Sequence, residues 1–125
     1  GKHLFPKLKQ EYQCRCIQVS EQNRRQAELL LQGRIIDTPG HTVDSISLLL
    51  NDGSLFCGDA AMNGLPSLHR ITIFAEDKTA YLKSCETIIA LRPKIIYPGH
   101  GKPFKYSELI KNINRAKNMK LLPLG

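Results

Sequence analysis

The chain has 125 residues, of which 42% are hydrophobic, and its 18 basic and 11 acidic side chains give a formal net charge of +7. This length is enough for one domain with one core. No apolar run approaches the roughly 18 residues that a membrane span requires, so no membrane association is expected.

The positive charge is concentrated at the two ends of the chain. Residues 1–34 hold seven basic and three acidic side chains, and residues 100–125 hold six basic and one acidic. A basic surface attracts nucleic acid or anionic substrates. No aromatic platform is interleaved with these charges, so a solvated basic face is the preferred interpretation and nucleic acid is a partner that the sequence does not favour.

Four cysteines bear on the cellular compartment. Cys14 and Cys16 form a C-x-C pair, whose spacing does not match a zinc ribbon or a thioredoxin motif. Cys57 and Cys85 lie in apolar surroundings. We therefore predict four reduced thiols and a cytoplasmic protein, with a structural disulfide or a C-x-C metal site as the alternative. The N-terminus shows no signal-peptide pattern.

The first half of the chain predicts mainly strands. Residues 26–31 are ambiguous, because their apolar positions fit a helix or a strand. Residues 34–37 predict a strand. Residues 45–50 and 54–57 predict two further strands, and the Asn-Asp-Gly sequence at 51–53 between them is typical of a hairpin turn.

Residues 77–92 predict an amphipathic helix. Asp77 can cap its N-terminus by accepting backbone N–H bonds, and Pro93 ends it because proline cannot continue the hydrogen-bond ladder. The apolar residues that share one face are Tyr81, Leu82, Cys85, Ile88 and Ile89.

Shorter elements flank this helix. Residues 71–74 predict a strand before it, and residues 95–97 predict a buried strand after it. Ser107 is expected to cap a last helix, whose inward residues would be Leu109, Ile110, Ile113 and Ala116. The order of strands, helix, strand and helix predicts an α/β fold.

One local pattern occurs twice. RIIDTPGH at residues 34–41 resembles KIIYPGH at residues 94–100, and both consist of a basic residue, two isoleucines and a Pro-Gly-His end. Composition alone predicts about 0.02 copies of Pro-Gly-His in such a chain. Each copy places a histidine just after a short buried strand, at the edge where α/β proteins tend to build sites.

A third segment has a similar sequence pattern. In SLFCGD at residues 54–59, an apolar strand and a glycine precede Asp59. A single loop histidine is more commonly a surface or capping residue. Two histidines and one carboxylate at three strand ends, however, are suitable zinc ligands, which makes His41, Asp59 and His100 the candidate metal-binding residues.

Three motifs resemble those of the metallo-β-lactamase superfamily. They are DTPGHTVDS at residues 37–45, LFCGDA at residues 55–60 and YPGHGKPF at residues 97–104, in the order that the family shows. The resemblance implies that His41 binds one metal, that Asp59 bridges two, and that His100 binds the second. It also implies that Thr42 and Ser45 orient ligands or loops around them.

The family's upstream His-x-His-x-Asp-His motif is absent from this sequence, where His3 is the one histidine before His41. The resemblance implies a fold of two similar halves in an αββα sandwich. We therefore expect an α/β chain that forms the C-terminal half of such a sandwich, with a mixed sheet and helices on one face. This half would be a truncated product or a fragment, not a complete enzyme.

The expected function is that of the C-terminal portion of a metal-dependent hydrolase that uses a metal-activated water. The cofactor would be two Zn²⁺ ions, or iron or manganese, bound weakly or not at all by this chain alone. The substrate class would be a small ester, thioester, lactone, β-lactam or phosphodiester. We also expect self-association, because half a sandwich exposes apolar sheet surface. The alternative is a non-catalytic binding module that keeps the fold.

Three further polar residues are weaker candidates. Asp44 could support His41, His69 could contact substrate, and Lys102 could meet an anionic substrate. For each of them, an ordinary surface role is at least as plausible.

Overall fold

The computed structural model describes residues 19–63, 70–72 and 75–118. The chain divides into two compact units, Gly1–Leu31 and Gln32–Gly125. Among the described residues, the first unit contains helix α1 (Arg24–Leu31), and the second contains five strands and two helices. No helix in these ranges is long and apolar enough to cross a membrane.

The ambiguous segment at 26–31 is helical. Ahead of α1, the Ser20 N–H donates to Oδ1 of Asn23 at 2.7 Å, and the Asn23 N–H donates to Oγ of Ser20 at 3.4 Å. These reciprocal bonds satisfy N–H groups that a helix start leaves without partners. The polar residues before the apolar run therefore favour the helix over a strand.

A five-stranded sheet forms the centre of the second unit. Its strands are β1 (Gly33–Asp37), β2 (Ile46–Leu50), β3 (Ser54–Asn63), β4 (Ile95–Gly101) and β5 (Phe104–Lys105), in that order across the sheet. The β3–β4 pair is parallel and the other pairs are antiparallel. Strands β1, β3 and β4 therefore run in the same direction, and their carboxyl ends meet at one edge of the sheet.

The predicted hairpin between β2 and β3 is confirmed. Gly53 has a φ of 94°, and its N–H donates to the Leu50 carbonyl at 3.0 Å. Oδ1 of Asp52 accepts the Ser54 N–H at 2.9 Å. Glycine reaches this backbone region without steric cost, so the Asn-Asp-Gly sequence determines the turn.

The predicted central helix is also confirmed, as α2 (Lys78–Leu91). Oδ1 of Asp77 accepts the Ala80 N–H at 3.0 Å, and Arg92 ends the helix in the left-handed conformation. Helix α2 connects β3 to β4, since two parallel strands need a crossover rather than a tight turn.

One core joins the sheet to α2 and to the last helix, α3 (Tyr106–Asn118). The fully buried members from the two central strands and the two helices include Leu55, Cys57, Ile96, Tyr81, Cys85, Ile88, Leu109 and Ala116. The predicted α/β class, with a mixed sheet and helices against it, is therefore confirmed.

The opposite face of the sheet carries aromatic side chains. Phe56 lies between two core residues, so the alternation of a strand turns it away from α2 and α3. Its ring stacks on Tyr97 of the neighbouring strand, with centroids 4.8 Å apart and an interplanar angle of 13°. Phe56 remains 44% exposed, which makes this face apolar and accessible.

Two details of the α3 prediction are wrong. The helix begins at Tyr106, so Ser107 lies in its first turn and does not cap it. Ile110 is 43% exposed, whereas Leu109, Ile113 and Ala116 are buried as expected. The buried positions are four and three residues apart, which places them on one face of the helix. Ile110 lies outside that face.

Two strand predictions also differ from the structure. Ile71 and Thr72 are buried but belong to no strand, and residues 73–74 lie outside the described ranges. Strand β4 continues through Pro98 to Gly101, so the second Pro-Gly-His is part of a strand and not a turn. Strand β5 pairs with Ile95 and Ile96, so among the described residues Pro98 faces no strand on that side and its missing N–H is tolerated.

Replacing Gly40 by alanine should abolish folding or lower the free energy of unfolding by more than about 4 kcal/mol. Gly40 has a φ of 137°, and a Cβ there would lie 2.3 Å from the Tyr81 Cα, which belongs to the backbone of α2. Urea denaturation followed by circular dichroism measures the effect. Gly58→Ala is the matched control, because Gly58 also has a positive φ, of 51°, but no atom within 4 Å of a Cβ. It should cost only about 1–2 kcal/mol. Equal losses in the two variants would contradict the steric argument.

Candidate metal centre

The three residues predicted as metal ligands converge. Oδ2 of Asp59 lies 3.3 Å from Nε2 of His41, and Oδ1 of the same carboxylate lies 2.8 Å from Nδ1 of His100. Each oxygen of one carboxylate therefore faces a different imidazole. A carboxylate placed in this way can contact two partners at once, one through each oxygen.

The site opens towards solvent on one side. The side chain of His41 is 13% exposed, that of Asp59 is 34% exposed and that of His100 is 62% exposed. His41 therefore forms the buried wall of the site, and a small molecule would approach from the His100 side.

The His41 loop is fixed to the start of α2. Oγ of Ser84 donates to the Pro39 carbonyl at 2.7 Å, and the Glu76 N–H donates to the His41 carbonyl at 3.3 Å. Both bonds act on the loop backbone, so the imidazole is presented from an anchored segment although it lies outside the sheet.

Asp59 owes its position to an irregularity in β3. The pairing register with β4 shifts on both sides of Gly58. Such bulges re-aim side chains and are common next to active sites. Gly99 of β4 then provides space, because a Cβ there would lie 2.6 Å from Oδ1 of Asp59.

His100 is positioned by the end of β3. Met62 pairs with His100 and Asn63 with Gly101 in the parallel register. Nδ2 of Asn63 also donates to the Lys102 carbonyl at 2.8 Å. The backbone that follows His100 is thereby tied to the strand that carries Asp59.

Thr42 and Ser45 contact each other within the loop that follows His41. Their hydroxyl oxygens lie 2.6 Å apart, and the Thr42 N–H donates to Oγ of Ser45 at 3.2 Å. Oγ1 of Thr42 also donates to Oδ1 of Asp44 at 2.9 Å, so Asp44 acts within the same turn. These contacts order the backbone just after His41.

Several candidates from the sequence fall outside the described ranges, namely His3, Cys14, Cys16 and His69. Lys102 lies within the described ranges and is exposed.

Thr72 is a site residue that the sequence did not reveal. Its Oγ1 lies 3.3 Å from Nδ1 of His41, on the side of the ring away from Asp59. Its backbone N–H donates to the hydroxyl of Tyr81 at 3.0 Å, and that hydroxyl donates to the Ala60 carbonyl at 3.0 Å. Thr72 belongs to no motif and lies 31 residues from His41, so no local pattern could have identified it.

The two described cysteines are core residues. Desolvation on burial raises the pKa of the Cys57 thiol to about 12 and that of Cys85 to about 11. Both are free thiols. Because thiolates are the metal-binding and nucleophilic form, neither residue is available to the site at neutral pH.

The chemistry of the donor set fits a divalent metal, but the set is incomplete. Imidazole nitrogen and carboxylate oxygen are both ligands that zinc takes. Within the described residues, no group of three His, Cys, Asp or Glu side chains has the geometry of a metal-binding cluster. The three side chains contact one another directly, and two ions would require more donors than these three residues supply.

A sequence profile of the metallo-beta-lactamase superfamily matches residues 21–100, which is more than half of the chain. The chain belongs to this superfamily. A beta-lactamase-like protein 2 homolog from Drosophila melanogaster is 41% identical over 68 residues, which cover 54% of this chain and 21% of that protein. A thioesterase from Emericella nidulans is 36% identical over 69 residues, which cover 54% of this chain and 18% of that protein.

A solved structure of an archaeal metallo-beta-lactamase superfamily protein from Sulfolobus tokodaii has the same fold. It superposes with a TM-score of 0.66 at 19% identity, over 98% of this chain and 65% of that one. The metallo-beta-lactamase half-sandwich predicted from the motifs is thus consistent with the observed sheet. The chain spans about a fifth of the length of the two relatives named above.

Tyr81→Phe should lower the free energy of unfolding by about 1–3 kcal/mol. The variant keeps the ring in the core but leaves the Thr72 N–H and the Ala60 carbonyl without their shared partner. Urea denaturation measures the loss. Tyr97→Phe is the control, since it preserves the stack on Phe56. A loss no greater than that of the control would show that the Tyr81 hydroxyl does not support this part of the fold.

Proposed function

We propose that the chain is the C-terminal portion of a metal-dependent hydrolase of the metallo-beta-lactamase superfamily. The observation that carries the proposal is the Asp59 carboxylate, whose two oxygens face the imidazoles of His41 and His100. Hydrolase-type names among the relatives, including a thioesterase, support the reaction class.

In this proposal, His41 and Asp59 contribute to one metal position, and Asp59 and His100 contribute to a second. Zinc suits these donors, with iron or manganese as alternatives. When bound, such ions lower the pKa of a water molecule and polarise the scissile carbonyl or phosphoryl oxygen. The His-x-His-x-Asp-His motif that this sequence lacks would complete both donor sets.

The residues of this chain would do three things in the reaction. Asp59 would contribute to both metal positions, because its two oxygens face different imidazoles. His41 would hold the buried position through a loop that is fixed to α2. His100, which is the most exposed of the three, would border the path of an incoming substrate.

The substrate class in this proposal is a small ester, thioester, lactone, β-lactam or phosphodiester. Thioesters come first, because one of the relatives named above is a thioesterase. An inexpensive observation discriminates this reading from a non-catalytic binding module. A His-x-His-x-Asp-His motif in the reading frame upstream of Gly1 favours the hydrolase, and its absence favours the binding module.

The 125-residue chain should bind Zn²⁺ only weakly and show little turnover of ester, thioester or bis-nitrophenyl phosphate substrates, because its donor set is incomplete. Asp59→Asn should remove the remaining affinity, since an amide lacks the charge that both positions share. Calorimetric titration measures this. Asp44→Asn is the matched control, because the Asp44 carboxylate lies in the turn after His41 and accepts from the Thr42 hydroxyl. Tight stoichiometric zinc with turnover in the wild-type chain, or unchanged affinity in Asp59→Asn, would contradict the assignment.

We further propose that the isolated chain self-associates through the sheet face that carries Phe56. Phe56 is 44% exposed and Ile46 is 40% exposed, and such apolar surfaces tend to associate in water. Phe56→Lys should therefore shift the mass measured by light scattering towards the monomer. Val43→Lys is the control, because Val43 is 81% exposed but lies in the loop after β1. A wild-type chain that is monomeric at high concentration would refute this proposal.

A further inference from the structure

Thr72 lies on the far side of His41 from the carboxylate. Thr72 is fully buried, and its Oγ1 lies 3.3 Å from Nδ1 of His41. The other ring nitrogen, Nε2, faces Oδ2 of Asp59 at 3.3 Å. The imidazole is therefore held between a hydroxyl on one nitrogen and a carboxylate on the other.

The Thr72 hydroxyl has a second contact, which leaves it able to accept a hydrogen bond from His41. Oγ1 of Thr72 lies 3.9 Å from Sδ of Met62, to which it can donate. A thioether sulfur accepts but cannot donate, so a hydroxyl that donates to Met62 is free to accept from Nδ1–H of His41. With the proton on Nδ1, the lone pair of Nε2 points towards the carboxylate.

An Nε2 lone pair and a carboxylate oxygen that face each other are held together when a proton or a metal ion lies between them. A neutral imidazole with Nδ1 protonated presents Nε2 as a metal donor, and a hydrogen bond on the other nitrogen selects that tautomer. The hydroxyl can also rotate and donate to Nδ1, and Nε2–H then bonds to Asp59 directly. The Thr72 hydroxyl can therefore form a hydrogen bond with Nδ1 in either tautomer of His41, which a group that only donates or only accepts could not do.

The position of Thr72 is itself enforced by the core. Its N–H donates to the buried hydroxyl of Tyr81, and the same hydroxyl donates to the Ala60 carbonyl of β3. Tyr81 is 1% exposed and projects from α2. The backbone at Thr72 is therefore tied to the helix and to the strand that carries Asp59.

We propose that Thr72 is a positioning residue, which holds Nδ1 of the His41 ring so that Nε2 faces Asp59 and a metal ion shared with it. This inference rests on the proposed function, since it assigns Nε2 of His41 a metal. Thr72 touches no reacting atom in this scheme and acts only through His41.

The test compares Thr72→Val with Thr72→Ser in the 125-residue chain. Valine keeps the shape of threonine and removes the hydroxyl, whereas serine keeps the hydroxyl. Calorimetric titration with Zn²⁺ at millimolar concentration should show about 10- to 100-fold weaker binding for Thr72→Val. Thr72→Ser should retain an affinity close to that of the wild type, which a purely structural role of the methyl group would not produce.

The second measurement needs no metal. Long-range ¹⁵N–¹³C NMR correlations of the imidazoles report the tautomer of each histidine, and His41→Gln identifies the His41 signals. Wild type and Thr72→Ser should share one His41 pattern, and Thr72→Val should change it. Circular dichroism establishes that each variant is folded before the spectra are compared.

The outcomes separate this inference from the proposed function. Unchanged His41 signals in Thr72→Val, or zinc affinity equal to that of the wild type, overturn the role of Thr72. An effect of Thr72→Ser as large as that of Thr72→Val also overturns it. A wild-type chain with no measurable zinc affinity agrees with the incomplete donor set, and the imidazole spectra alone then decide whether Thr72 positions His41. Unchanged zinc affinity in Asp59→Asn counts against the proposed function instead.

Discussion

Asp59 lies between two imidazoles because β3 and β4 run side by side in the same direction. Most of the described elements help to hold these two strands in that arrangement. The crossover through α2 allows the parallel pairing, and the register shift at Gly58 turns the carboxylate towards both neighbours. The hairpin before β3 and the core beneath it keep the strand in place. Removing the charge of this one carboxylate would leave two histidines with no common partner.

The elements that the sequence predicted correctly are those with local signals. The Asn-Asp-Gly turn at 51–53 and the Asp77 cap each depend on hydrogen bonds within a few residues. The convergence of His41, Asp59 and His100 could also be anticipated, because strands that share a direction end at one edge of a sheet. The family motifs pointed to the same three residues.

The features that could not be predicted depend on tertiary contacts. Proline and glycine at 98–99 favour a turn locally, but pairing with β3 extends β4 through them to Gly101. Thr72 meets His41 only because the Tyr81 hydroxyl fixes its backbone. A threonine between apolar residues carries no signal of such a contact, and its alternation pattern favoured a strand instead.

The glycines in the two copies of Pro-Gly-His are required for different reasons. Gly40 is required by the backbone of α2, which leaves no volume for a side chain, whereas Gly99 is required by the carboxylate of Asp59. The first constraint belongs to the fold and the second to the site. Sequence similarity between the copies therefore does not imply that they are interchangeable.

The separation of the site residues along the chain has a consequence for the order of folding. Asp59 and His100 are 41 residues apart, and His41 and Thr72 are 31 residues apart. The β2–β3 hairpin closes over a few residues, whereas these contacts need long loops to close first, which is slow. A chain emerging from the ribosome would thus hold its hairpin well before Asp59 met its second histidine. Under the proposed function, an ion taken up earlier would find only part of the donor set, so metal binding would follow the folding of the sheet rather than nucleate it.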